Sequence, residues 1–243
     1  MAKIRIDKLL SNMGCGSRSE IKKAAKLGLI RLNDTIEKDA SKIIDTEKDI
    51  IYFEDQIIRY RQYVYLLMNK PQGVISATFD NLHPTVIDLL PERYRMYDIF
   101  PVGRLDKDTE GLLVLTNDGK FAHDLLSPKK RIDKKYYVDV DGPVGEKDIQ
   151  KFSGGITLDD GYITMPAHLD ILSTDPEKSS CTVVIQEGKF HQVKRMFSEV
   201  GRKVLFLKRI QIGQLKLDPG LVAGESRELD KAEQSLLFMN DLT

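Results

Sequence analysis

Hydrophobic positions along the first sixty residues alternate between helical and extended spacing. Leu9, Leu10 and Met13 recur at helical intervals, with Asp7 as the expected cap and Gly14 as the stop. Ser17 and Glu20 form a capping-box pattern that starts a second helix through Lys26, and Gly28 is its C-terminal signal. Arg18, Lys22 and Lys26 fall four apart on that helix and share one face, whereas Ile21 and Ala25 turn toward a core. Leu29–Asn33, Lys42–Ile44 and Asp49–Phe53 cluster β-formers between turn residues, which predicts a small curled sheet. The polar run Asp55–Gln62 reads as a linker. From Val64 onward longer strands are expected at Val64–Met68, Leu112–Thr116, Tyr136–Val140, Cys181–Gln186 and Ile210–Leu217. Helices are expected near Glu146–Phe152 and Phe190–Val200, so the second part is of mixed α+β class.

Composition narrows this picture. The 243 residues are 41% hydrophobic and 30% charged, a globular balance too apolar for a disordered chain. No run approaches the roughly 20 apolar residues that span a bilayer, and Met1–Arg5 leads into no secretory core, so a cytoplasmic protein off the membrane is expected. Cys15 and Cys181 are expected as reduced thiols, and His83, His123, His168 and His191 show no metal-ligand spacing. Basic and acidic residues balance at 37 each, but their distribution does not. Between Met1 and Arg31 eight basic side chains (Lys3, Arg5, Lys8, Arg18, Lys22, Lys23, Lys26, Arg31) face two acidic ones, Asp7 and Glu20. Such a stripe attracts phosphates, although a charge run is most often a solvated helix face.

Chemistry concentrates in the segment Gly103 to Gly119, which sets a charged loop between two apolar stretches. By itself the loop offers a carboxylate, Asp106, beside a guanidinium, Arg104, with glycines that allow tight bends. An arginine and an aspartate near a turn are usually a surface pair. Gly188-Lys189 lacks the upstream glycine spacing of a phosphate-binding loop, so ATP use is not expected.

As strings, these segments resemble known families. Arg5, Asp7, Lys8, Leu10, Gly16, Ser17, Arg18, Gly28, Leu32 and Asn33 resemble the S4 RNA-binding module. Gly103, Arg104, Leu105, Asp106, Thr109, Gly111 and Leu112 resemble the G-R-L-D-x-x-T-x-G-L signature of pseudouridine synthases without departure. That resemblance implies that Asp106 is the catalytic carboxylate and that Arg104 meets RNA where the target nucleotide leaves the stack. Lys70, Pro71 and Gly73 resemble the family's K-P-x-G turn. Lys134, Tyr136 and Val138 resemble its K-x-Y-x-V strand, in which the tyrosine stacks under the flipped uracil. His191, Gln192, Val193 and Lys194 resemble its third motif, which implies that Lys194 salt-bridges Asp106, with Arg195 as the neighbouring alternative and RNA contact. Leu221, Gly224, Glu225, Arg227 and Leu229 resemble its closing element, and the H-Q-V-K-R-M-F form is most similar to the small-subunit branch of the RsuA-like enzymes.

The resulting expectation is an α+β protein, with an S4 module over residues 1–59 and a pseudouridine synthase domain over 64–232 built on a central antiparallel sheet. The resemblance implies isomerisation of a uridine in 16S ribosomal RNA, uridine 516 in the family, by a monomer acting on a small-subunit assembly intermediate without cofactor or metal. Asp106, Tyr136 and Lys194 are the expected catalytic residues. Arg104, Arg5, Lys8, Arg18, Lys22, Lys26 and Arg195 are the expected RNA contacts. The rivals are a non-catalytic ribosome-assembly protein that retains the fold, and a synthase acting on 23S RNA.

Overall fold

The computed structural model describes residues 3–58 and 60–240. The chain divides into two compact units, residues 1–63 with 91–98, and residues 64–90 with 99–243. The expected limits of the first module, Met1 and Arg59, lie outside the described residues. Among the described residues no helix is long and apolar enough to cross a membrane.

The first unit contains β1 (Lys3–Arg5), α1 (Ile6–Asn12), α2 (Arg18–Lys26), β2 (Ile30–Leu32), β3 (Thr35–Ile36), β4 (Ile43–Asp45), β5 (Ile51–Phe53) and β6 (Gln56–Ile58). The capping box on α2 is formed as expected. The Glu20 amide donates to the Ser17 hydroxyl and the Ser17 amide to the Glu20 carboxylate, at 3.3 and 2.7 Å. Gly28 follows the helix at φ +80°, a conformation that favours glycine. Ile6, Leu9, Leu10, Ile21, Ala25 and Ile51 form the core, leaving Arg18, Lys22 and Lys26 exposed. Asp7 does not cap α1. The helix starts two residues earlier than that cap implies, at Ile6 with Arg5 at the cap, and the Asp7 carboxylate is buried against the Arg5 guanidinium at 3.0 and 2.8 Å. Hydrogen bonding to Arg5 holds the Asp7 carboxyl below its ordinary range. The expected linker Asp55–Gln62 includes β6, which pairs antiparallel with β5 in the sheet order β3-β2-β5-β6. Residues 91–98 group with this unit by their contacts. There the Tyr97 hydroxyl lies 3.8 Å from the Met13 sulfur.

The second unit runs β7 (Tyr65–Lys70), β8 (Phe100–Val102), β9 (Glu110–Thr116), α3 (Gly119–Leu126), β10 (Lys134–Asp141), α4 (Glu146–Gly154), β11 (His168–Thr174), β12 (Lys178–Ile185), α5 (Gln192–Glu199), β13 (Val204–Ile212), β14 (Leu215–Lys216), β15 (Ser226–Glu228) and α6 (Lys231–Leu236). Its sheet has the order β11-β12-β10-β13-β9-β7-β15, with β8 added on β9 and β14 on β13. Every pairing is antiparallel except β9–β13, which is parallel at Lys208–Glu110 and Arg209–Gly111. At that crossing Gly111 has φ +103°, and a Cβ there would overlap the Arg209 backbone, so the close approach requires glycine. The stretch Ile210–Leu217 is not one strand. It turns at Gly213 into the short hairpin partner β14.

Leu112 to Leu115 are all fully buried, because elements cover both faces of β9. On one side α3, capped by the Asp118 carboxylate, lays Ala122 and Leu125 into a cluster with Leu67, Val102 and Val114. Elsewhere α5 buries Val193, Met196 and Phe197 at helical spacing, and Phe197 packs on Phe152 of α4 at 4.9 Å. That apolar stripe leaves Lys194 and Arg195 only partly buried.

Candidate active site

The loop between β8 and β9 carries Arg104, Asp106 and Asp108, and its backbone is fixed from beneath. Leu105 exchanges two hydrogen bonds with the Ser76 hydroxyl, at 3.0 Å through its amide and 2.9 Å through its carbonyl. The Gly73 amide donates to the Lys107 carbonyl at 2.8 Å. Lys70, at the end of β7, is completely buried. Its ammonium donates to the carbonyls of Pro71, Asp106 and Thr109 at 2.9, 3.0 and 2.9 Å. Burial pulls its pKa down to about 8, against the opposing pull of Asp108, Asp106 and Glu110. The K-P-x-G turn and the aspartate loop therefore act as one braced unit.

Above this base the Asp106 carboxylate meets two groups brought by the start of α5. Lys194 Nζ donates to Oδ2 at 3.0 Å, and His191 Nε2 lies 3.6 Å from Oδ1. Lys194 also donates to Asp108 Oδ1 at 2.6 Å. Burial opposes the Lys194 charge, but hydrogen bonds to Asp108 and Asp106 outweigh it and raise its pKa above the ordinary value. Tyr136, on β10 opposite Arg209 of β13, is 7% exposed and lines the same cleft as Arg104, Asp106, Ile185, His191 and Leu207. The cleft thus offers an oriented carboxylate, a cation on one of its oxygens, and an aromatic wall. Among the described residues no three His, Cys, Asp or Glu side chains converge as a metal site.

Of the expected site residues, Asp106, Tyr136, Lys194 and Arg104 come together here. Arg195 is engaged elsewhere, because its guanidinium is held by Asp159 and Asp160. In the first unit Lys8, Arg18, Lys22 and Lys26 are exposed, whereas Arg5 is tied to Asp7. Three contributors escaped the sequence reading. Asp108 shares Lys194, His191 faces Asp106, and buried Arg209 donates to the Leu112 carbonyl at 2.8 Å, fixing the strand that follows the loop. The φ of +49° at His191 is visible only in the folded backbone.

The profile of the RNA pseudouridylate synthase family matches residues 64–199, and that of the S4 domain matches residues 4–51. The chain belongs to the RNA pseudouridine synthase family. A Bacillus subtilis RNA pseudouridine synthase, YtzG, is 44% identical across 96% of this chain and 98% of its own length. Ribosomal small subunit pseudouridine synthase A of Haemophilus influenzae is 37% identical across 95% of this chain and 97% of its own. A crystal structure of a pseudouridylate synthase superposes with a TM-score of 0.67 at 36% identity, covering 96% of this chain and 99% of that one. The enzyme is therefore a pseudouridine synthase with an N-terminal S4 domain, and its fold is that of the family.

Proposed function

We propose that this synthase isomerises a uridine of 16S ribosomal RNA, at the position corresponding to the family's uridine 516, in a small-subunit assembly intermediate in the cytoplasm, acting as a monomer. The observation that carries the catalytic assignment is the Asp106 carboxylate held by Lys194 at 3.0 Å in a cleft walled by Tyr136. The choice of RNA is supported by small-subunit relatives, including the Haemophilus influenzae enzyme at 37% identity and the Yersinia pestis enzyme at 34%.

The target uridine flips out of its stack, with Arg104 at the cleft mouth and the uracil against Tyr136. The bond from C1′ to N1 breaks, the base turns, and C1′ bonds to C5. The C5 hydrogen leaves as a proton and N1 gains one, so the reaction is a net isomerisation. Asp106 acts as nucleophile at C1′ or at C6, or as the base at C2′, and each route needs an ionised carboxylate. Lys194 favours that form and holds its orientation. The S4 domain supplies affinity for folded RNA through Arg18, Lys22 and Lys26 of α2 and Lys8 of α1.

Pseudouridine mapping of ribosomal RNA from cells with and without the gene tests the reading, with complementation by wild type and by Asp106→Asn. One uridine of 16S RNA should lose its modification, regain it with wild type, and stay unmodified with Asp106→Asn although that variant still binds RNA. A missing pseudouridine in 23S RNA with 16S intact would overturn the target, and complementation by folded Asp106→Asn would overturn the catalytic assignment.

A further inference from the structure

Phe190 is 74% exposed, an unusual placement for a phenylalanine two residues from a buried helix face. Isolated surface hydrophobes are ordinary, and exposure alone assigns nothing. Three observations separate this ring from that background. First, it lies flat against the His191 imidazole, with centroids 3.7 Å apart and planes inclined by 20°. One face is therefore occupied, and the exposed area leaves the other to solvent. Second, the same His191 faces the Asp106 carboxylate at 3.6 Å, so the stacked pair stands at the mouth of the reaction cleft.

Third, the loop that holds the ring is built and braced. His191 adopts φ +49°, a left-handed conformation that L residues rarely take. Gln192, which is 4% exposed, accepts from the Lys189 amide at 2.9 Å and donates to Glu187 at 2.8 Å. Glu187 also accepts from the Tyr162 hydroxyl at 2.6 Å and the Met165 amide at 2.8 Å. A ring fixed in advance loses little side-chain freedom when a second flat group covers it. An aromatic face presented to solvent beside a base-flipping cleft matches one ligand chemistry, a nucleobase.

We infer that Phe190 is a stacking platform for the base next to the flipped uridine, continuing on the protein the stack that the target has left. When the target turns into the cleft, its neighbour loses a stacking partner, and the Phe190–His191 pair replaces it. Phe190 is thus a positioning residue that holds the flipped state open without touching the reacting atoms. This inference rests on the pseudouridine synthase activity and not on the choice of 16S RNA.

The test uses synthetic RNA fragments centred on whichever uridine the mapping identifies. One is intact, and two carry an abasic residue at the 5′ or the 3′ neighbour. Affinities are measured for wild type, Phe190→Ala and Phe190→Tyr. On intact RNA, Phe190→Ala should lose on the order of tenfold in affinity, the scale of aromatic stacking on one base, while Phe190→Tyr retains it. On one of the two abasic RNAs wild type should fall to the level of Phe190→Ala, and the substitution should then cost nothing further. A 2-aminopurine at that neighbour should be quenched by wild type and bright with Phe190→Ala, a signature that a merely structural ring would not produce. Equal loss from Phe190→Ala on all three RNAs, or no loss on intact RNA, overturns the inference. Tritium release by wild type from the intact fragment is read separately. Its absence would indict the activity reading, while the binding cycle alone decides the stacking role.

Discussion

Replacing Lys194 with methionine keeps most of the unbranched side chain and removes its ammonium, which isolates what the cation does for Asp106. Two charge-assisted hydrogen bonds disappear, at 3.0 Å to Asp106 and 2.6 Å to Asp108. A hydrogen bond to a charged group contributes about 1.5–3 kcal/mol net. The Asp108 half is heavily screened, because that carboxylate is 70% exposed. The Asp106 half lies between side chains only 23% and 29% exposed and keeps most of its value. A loss of about 2 kcal/mol in the transition state corresponds to a roughly thirtyfold fall in kcat. The two carboxylates left facing one another push in the same direction. Arg195 offers no substitute while Asp159 and Asp160 hold its guanidinium. Since Lys194 spends its protons on the protein's own carboxylates, KM and the salt dependence of binding should change little. The assay is tritium release from C5-labelled uridine in RNA, with thermal melting as the folding control. A folded Lys194→Met protein with kcat within threefold of wild type would refute this account of the ion pair.

The remaining predictions follow from the same geometry. Tyr136→Phe should turn over within about threefold of wild type, whereas Tyr136→Leu should lose stacking worth ~1–3 kcal/mol; if Tyr136→Phe cleaves the glycosidic bond without releasing tritium, the hydroxyl rather than the ring is the working group. Lys70 titrates near 8 when folded, below its ordinary 10.5, so the unfolded chain binds the extra proton between those values and the Lys70 contribution to stability rises with pH across that window. Urea unfolding at pH 7.5 and 10 should therefore show wild type gaining on Lys70→Met, by at most about 3 kcal/mol; no pH dependence in the difference would remove the buried ammonium from the account. Replacing Arg18, Lys22 and Lys26 together by alanine should weaken RNA binding and reduce its slope against log salt by about 2, the loss of three phosphate contacts. An unchanged slope would remove that helix face from recognition.

The sequence carried the reactive loop and the capping box of α2 plainly, because both depend on residues a few positions apart. The pairing of Lys194 with Asp106 entered through family resemblance, since no local rule links residues 88 apart. Features set by tertiary context were hidden. Helix α3 lies next to the motif, and its Asp118 cap went unnoticed because the short apolar stretch after it gives only a weak periodic signal. Strand β6 looked like a linker because its three residues, Gln56, Ile57 and Ile58, are too few to show alternation within a polar stretch, and they pair only along one edge of a small sheet. Asp7 looked like a cap because carboxylates favour that position, yet the adjacent guanidinium made its burial in the first turn more favourable. The commitment of Arg195 to Asp159 and Asp160 likewise needs the fold to bring α5 to a distant turn.

Lys70, Asp106 and Lys194 are separated by 36 and 88 residues along the chain, and each contributes to the same small volume. Contacts of such span carry a large loop-closure cost and form after local helices and hairpins. During synthesis the Asp106 loop emerges, and can settle on Lys70, well before α5 exists to supply its cation. A chain released before α5 could retain much of the earlier local structure and still carry a carboxylate with no ammonium beside it. The ion pair in the cleft is therefore completed by the last third of the chain, and the Asp106 carboxylate gains its cation only once α5 has formed.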